Sequence, residues 1–155
     1  MFVMPQSRPL DPEIGLATPR VLLAEDDPGM RDLLARILAD SGYDVVQAID
    51  GQELLDLVSS ALASTPAMEP FDIIVTDVRM PSHTGMDALK LMRSAHVRTP
   101  VIVITAFGDE ELHRAAYELG AWVLDKPFDL EDFEEAVAAM VRRRQRAAGR
   151  ALLMV

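Results

Sequence analysis

The sequence predicts an α/β fold: a five-stranded, doubly wound parallel sheet with helices on both faces. Three observations point there. Five short runs dominated by Val, Ile, Leu and Ala are spread along the chain. Each is followed by a stretch whose apolar residues recur at helical spacing. The runs are near-continuous rather than alternating, as expected of strands covered by helices on both sides.

Taken in order, Val21-Leu22-Leu23-Ala24 is the first run and stops at Glu25-Asp26-Asp27-Pro28. Asp27 suits a helix N-cap and Pro28 the first helical position. Met30, Leu33, Leu34, Ile37 and Leu38 then define one helix face, which ends near Ser41-Gly42. Residues 43–48 form the second strand candidate. After the turn signal Asp50-Gly51, Leu54, Leu55, Val58, Ala61 and Leu62 give a helix. A loop with two prolines spans 64–70. Ile73-Ile74-Val75-Thr76 is the third run, closed by Asp77, and Leu89 and Met92 belong to the helix after it. Pro100 introduces Val101-Ile102-Val103-Ile104, closed by Thr105. Leu112, Ala115, Ala116 and Leu119 follow at helical spacing up to Gly120. Trp122-Val123-Leu124 is the fifth run, closed by Asp125-Lys126-Pro127. The last helix carries Leu130, Phe133, Val137, Met140 and Val141.

The chain has 155 residues, half of them hydrophobic, which suits one domain with a single core. We place a disordered leader at 1–19, where four prolines fall before Arg20, the folded domain at 20–145, and a flexible tail at 146–155. The absence of cysteine excludes disulfides, zinc–thiolate sites and thiol catalysis. A formal charge of −10 argues against direct nucleic-acid binding by this domain. No apolar run approaches the ~20 residues of a membrane span, so the expected location is the cytoplasm. His83, His96 and His113 lack ligand spacing and read as surface residues. Most methionines read as helix-face core, with Met4, Met80 and Met154 exposed. Arg142-Arg143-Arg144-Gln145-Arg146 suits the negative end of a helix dipole.

Four of the five runs end in a polar group: Glu25-Asp26, Asp77, Thr105 and Lys126. In a doubly wound sheet the strand C-termini share one edge, where ligands bind, so these groups should converge. Three neighbouring carboxylates repel, and a hard divalent cation such as Mg2+ relieves the repulsion. A carboxylate beside such a metal can act as a nucleophile toward phosphorus. A lysine and a hydroxyl then stabilise charge on the phosphoryl oxygens. Asp77, alone at a strand end, is the candidate nucleophile. Each of these residues taken alone has a simpler reading as a cap, a turn or a loop residue; it is their joint register that carries weight.

At this point the sequence resembles response-regulator receiver domains. The matching stretches are Val21 through Pro28, Ile74 through Pro81, Ile104-Thr105-Ala106 and Asp125-Lys126-Pro127-Phe128, within residues 20–145. The resemblance implies a flavodoxin-like (βα)5 fold and a signalling switch rather than a turnover enzyme. It implies phosphorylation on Asp77 and a Mg2+ ion held by Asp26, by Glu25 through water, by Asp77 and by the backbone carbonyl of Arg79. It implies Lys126 as the phosphate-contacting lysine, Thr105 as the switch hydroxyl, and a cis peptide bond at Lys126-Pro127. The partners it implies are a histidine kinase or phosphotransfer protein, a downstream protein target, and a phosphorylation-dependent homodimer. Three features depart from the family pattern. The loop around 64–70, before the third strand, is several residues longer than usual. Val123 stands where an aromatic switch residue is frequent. The bulky Arg79 and Phe107 occupy positions that tune phosphoryl loss and suggest a slow one. Two alternatives remain at this stage. One is a pure interaction module without phosphate chemistry. The other is a Mg2+-dependent phosphohydrolase, which is disfavoured because Arg79 stands where the dehalogenase type needs a second Asp. A nucleotide switch lacks its phosphate-cradling glycine loop.

Overall fold

A computed structural model describes residues 18–64, 71–80, 84–106 and 110–153. Five strands and five helices alternate: β1 (Arg20–Ala24), α1 (Pro28–Asp40), β2 (Asp44–Ala48), α2 (Gly51–Ser64), β3 (Ile73–Asp77), α3 (Gly85–Ser94), β4 (Val101–Thr105), α4 (Glu110–Glu118), β5 (Trp122–Asp125) and α5 (Leu130–Leu153). All strand pairs are parallel and the sheet order is β2-β1-β3-β4-β5. The predicted doubly wound sheet is therefore observed.

Alternation within each strand divides the core into two layers. Leu22, Ala24, Ile74, Val101 and Val103 face α2, α3 and α4 through Leu54, Val58, Leu89, Met92 and Ala116. Val21, Leu23, Ile73, Val75, Ile102 and Ile104 face α1 and α5 through Leu34, Leu38, Phe133 and Val137. The apolar runs are continuous because both faces of the central strands are covered. β3 and β4 are buried at every position.

Local signals explain the helix ends. The Asp27 carboxylate accepts from the Gly29 N–H at 3.1 Å and Pro28 opens α1, as the N-cap assignment requires. Thr84 and Asp87 form a capping box on α3. α1 closes at Gly42, whose φ of 94° suits glycine. No helix among the described residues is long and apolar enough to cross a membrane.

Several expectations are corrected. Leu33, assigned to the buried face of α1, is 42% exposed, because that face centres on Leu34, Ala35 and Leu38. Met80, read as exposed, is buried beside Met86 in the α2–α3–α4 layer. The fifth run is not a covered strand: β5 lies at the sheet edge and Trp122 is 55% exposed. Leu130 is also exposed. α5 runs on to Leu153, through most of the stretch read as a tail. The leader assigned to 1–19 lies, except for Thr18 and Pro19, outside the described residues, as do His83, Phe107, Met4 and Met154.

Two residues tie this architecture together. Arg93, near the end of α3, donates from Nε to the Leu119 carbonyl at 2.7 Å. Its Nη1 donates to the carbonyls of Val97 and Thr99 at 2.7 and 3.0 Å. It thus joins α3, the loop before β4 and the end of α4. Gly85 opens α3 against β3, and a Cβ there would lie 2.5 Å from the Asp77 carbonyl oxygen and 2.7 Å from Thr76 Oγ1. Only glycine allows this approach.

Arg93→Met should leave three carbonyls without this donor and lower stability by about 1–3 kcal/mol, read as a reduced urea midpoint at unchanged slope. Gly85→Ala should push α3 off the end of β3, destabilise the domain by at least ~1 kcal/mol, and shift the amide resonances of Asp77 and Val78.

Candidate functional site

The backbone ladder continues one step past the strands and places the polar groups. The Glu25 N–H donates to the Ala48 carbonyl at 3.2 Å, that of Val78 to Ile104 at 3.0 Å, and that of Lys126 to Thr105 at 2.7 Å. Asp77 pairs in register with Ile104, and Thr105 with Asp125. Glu25, Asp77, Thr105 and Lys126 are therefore fixed by sheet hydrogen bonds, although they are far apart in sequence. Arg31 adds a further tie, its Nη1 donating to the Glu25 carbonyl at 2.9 Å.

The side chains meet. Glu25, Asp26 and Asp77 each offer a carboxylate oxygen within 4.8 Å of the others. Lys126 Nζ lies 2.8 Å from Asp77 Oδ2 and 3.5 Å from Glu25 Oε2. The other Asp77 oxygen accepts from the Arg79 N–H at 3.0 Å, and Glu25 Oε1 accepts from the Asp27 N–H at 3.2 Å. Glu25 and Asp77 are buried, whereas Asp26 is exposed. A solvent-facing carboxylate thus closes a pocket whose inner wall is anionic. Thr105 is buried at the end of β4, one residue past the register partner of Asp77.

The electrostatics follow from this crowding. Burial, then hydrogen bonding to and repulsion from Asp77, raises the Glu25 carboxyl from 4.5 to about 7; the Asp27 N–H and Lys126 oppose the rise. Burial would lower the Lys126 ammonium, but its contacts with Asp77 and Glu25 together outweigh this and hold it above its ordinary range. Among the described residues, Lys126 is thus a cation in contact with two buried carboxylates, with a third carboxylate at the pocket's mouth. A divalent metal fits this donor set: three oxygen ligands of the hard type, close together and partly open to water.

The catalytic and metal-site candidates named from the sequence fall at this edge. Glu25, Asp26, Asp77 and Lys126 form the cluster, Thr105 adjoins it, and the exposed Arg79 contributes its N–H to Asp77. The Lys126-Pro127 bond is cis. Val123 is half-buried against the α2–α3–α4 layer. Sequence reasoning missed the supporting roles of Arg31 and Gly85. Arg31 carries no signal beyond its place one turn into α1, and no local motif singles out Gly85.

Comparison with known proteins agrees over the same stretch. Residues 21–138 match the family model described as Response regulator receiver domain. The chain is 36% identical over 125 residues to the transcriptional regulatory protein CpxR of Escherichia coli (strain K12), covering 80% of this chain and 50% of that protein. It is 36% identical over 126 residues to the transcriptional regulatory protein PdtaR of Mycobacterium tuberculosis (strain ATCC 25618 / H37Rv), covering 80% and 57%. The chain thus spans about half the length of these curated relatives. Among solved structures, the signal receiver domain of a putative LuxO repressor protein from Vibrio parahaemolyticus superposes with a TM-score of 0.73 at 27% identity, covering 85% of this chain and 96% of that one. The chemotaxis protein CheY4 of Vibrio cholerae gives 0.67 at 31% identity, covering 80% and 99%. Sheet order, strand-end residues and family match coincide, and the chain belongs to the response regulator receiver domains of two-component signal transduction.

Proposed function

We propose that this domain is a Mg2+-dependent switch that takes a phosphoryl group on Asp77 from a phosphohistidine of a histidine kinase or phosphotransfer protein. The observation that carries this reading is the cluster itself: the Lys126 ammonium 2.8 Å from a buried Asp77 that also shares its surroundings with Glu25 and Asp26. In the transfer, an Asp77 carboxylate oxygen forms a bond to phosphorus. The donor's P–N bond breaks, and the imidazole nitrogen leaves with the electron pair. Lys126, with its Nζ 2.8 Å from Asp77 Oδ2, offers its N–H donors to the phosphoryl oxygens. The Thr105 hydroxyl, on the same edge, supplies a further donor once the group is in place. Asp26 and Glu25, with Asp77 and the Arg79 carbonyl, would hold the metal, which when bound neutralises charge on the transferring group. The protein holds the product covalently rather than turning over a substrate.

Phosphorylation biases a pre-existing equilibrium between two arrangements of the α4 and β5 side of the sheet. The output is altered binding to a downstream protein or to a second copy of the chain. We place the domain in the cytoplasm, where its phosphodonors would reach it.

Incubation with acetyl phosphate and Mg2+ should add the mass of one phosphoryl group to the wild-type chain and none to Asp77→Asn. Beryllofluoride with Mg2+ should perturb the Trp122 fluorescence of the wild type alone. An unmodified wild type, or an equally modified Asp77→Asn, would remove the assignment.

The Glu25 carboxyl gives a second, independent check. A metal ligand must be deprotonated, so apparent Mg2+ affinity should rise between pH about 6 and about 8, with proton release at the lower pH only. Without metal, the folded value near 7 exceeds the free value of 4.5. The native state then holds more protons than the unfolded chain, and stability falls as pH rises through this window. Glu25→Gln should therefore stabilise the metal-free domain at pH ~8 by on the order of 1–3 kcal/mol, measured by thermal unfolding in EDTA.

A further inference from the structure

The opposite edge of the sheet carries a second concentration of charge, of the other sign. A cavity of about 460 Å3 opens between the loop before β4, the start of β5 and the C-terminal half of α5. Its walls include Arg93, Arg98, Arg143 and Arg144, together with Trp122 and Met140. No Asp or Glu lines it among the described residues. Arg93 is bonded to three carbonyls, and Arg144 Nε lies 3.6 Å from Asp72 Oδ1, so these two form the fixed wall. Arg98 and Arg143 are exposed and form no ion pair among the described residues.

A chain of net charge −10 repels anions as a whole. Screening limits that repulsion to about 8 Å at physiological salt, so an anion entering this cavity responds to the guanidiniums around it. Arg144 is offset by Asp72, and the exposed Arg98 and Arg143 add like charges whose repulsion an anion between them removes. Arginines grip phosphate oxygens through paired N–H donors. The volume falls in the usual range of small-molecule sites, roughly 300–1,000 Å3. The exposed Trp122 indole adds an aromatic surface of the kind on which bases stack. A bare oxyanion would use the arginines alone. A ligand joining a phosphate to a planar ring uses the indole as well, and a cavity of this size suits it better than an extended acidic segment.

We propose that this cavity binds a nucleotide, with its phosphate between Arg98 and Arg143 and its base against Trp122. The site is separate from the phosphorylation edge, standing at the other ends of β4 and β5.

Trp122 is the chain's one tryptophan, so its fluorescence reports on the cavity. Nucleoside mono-, di- and triphosphates are titrated in EDTA, which silences metal binding at the acidic cluster. Inorganic pyrophosphate and an oligoglutamate peptide serve as ring-free and peptide controls. Saturable quenching by at least one nucleotide is expected, with a Kd below about 1 mM. It should be unchanged in Asp77→Asn and weakened at least ~10-fold in Arg98→Ala and in Arg143→Ala. Both arginines are exposed, and an unchanged thermal midpoint verifies that the variants fold. The proposal is overturned by no saturation up to ~10 mM, by wild-type affinity in both arginine variants, by loss of binding in Asp77→Asn, or by pyrophosphate or peptide binding as tightly as any nucleotide.

Discussion

Two buried carboxylates beside one another are the constraint on which the rest of this domain turns. Glu25 and Asp77 would repel strongly if both were charged in a low-dielectric pocket. Lys126, placed between them at 2.8 and 3.5 Å, offsets part of that repulsion. It does not offset all of it: burial first, and then the neighbouring Asp77, raise the Glu25 carboxyl to about 7, while Lys126 is held charged. The three residues come from the ends of β1, β3 and β5, separated by more than a hundred positions in sequence. Only a sheet whose strands all run the same way brings them together. The parallel arrangement is thus the means by which one edge gathers the charges that chemistry needs.

The core is arranged to hold that edge still. β1 and β3 are central strands, covered on both faces by the two apolar layers. Glu25 and Asp77 extend from them and inherit their rigidity. Lys126 extends from β5, the edge strand, whose residues are half-exposed or exposed. Lys126 is therefore carried by the more weakly packed strand and Asp77 by one buried at every position. That asymmetry suits the proposed switch: Asp77 is anchored, and the side proposed to respond is less tightly packed. Val123, in the middle of β5, packs against the α2–α3–α4 layer. A residue of that size does not have the ring rotation open to an aromatic.

Much of this was legible in the sequence because covered strands and helix faces leave periodic traces. The five runs, their order and the residues closing them translate directly into β1 to β5 and the site edge. Asp27-Pro28 identified a cap because capping depends on neighbours in sequence. What was not legible depends on contacts across the fold. Leu33 fits the helical period as well as Leu34, and only the direction of the sheet decides which is buried. Trp122 looked like core because an edge strand and a central strand read alike over three residues. Arg93 gives no local hint that it bonds to a carbonyl 26 positions away. Gly85 is required by the approach of α3 to β3, which no turn motif announces.

Local rules are broken where function is expected to sit. The apolar runs, the caps and the two core layers all favour a single fold. Against them stands a carboxylate pair that destabilises the metal-free protein at neutral pH, together with the exposed Asp26 at its mouth. Replacing Glu25 with an apolar residue would remove the repulsion, and a domain built for stability alone would carry such a residue at a 1% exposed position. The acidic pocket is thus costly in isolation, and a cation entering it would relieve that cost. A site whose empty state is strained and whose loaded state is relieved couples occupancy to conformation through the strands that carry it, which is the physical requirement for a phosphorylation-driven switch.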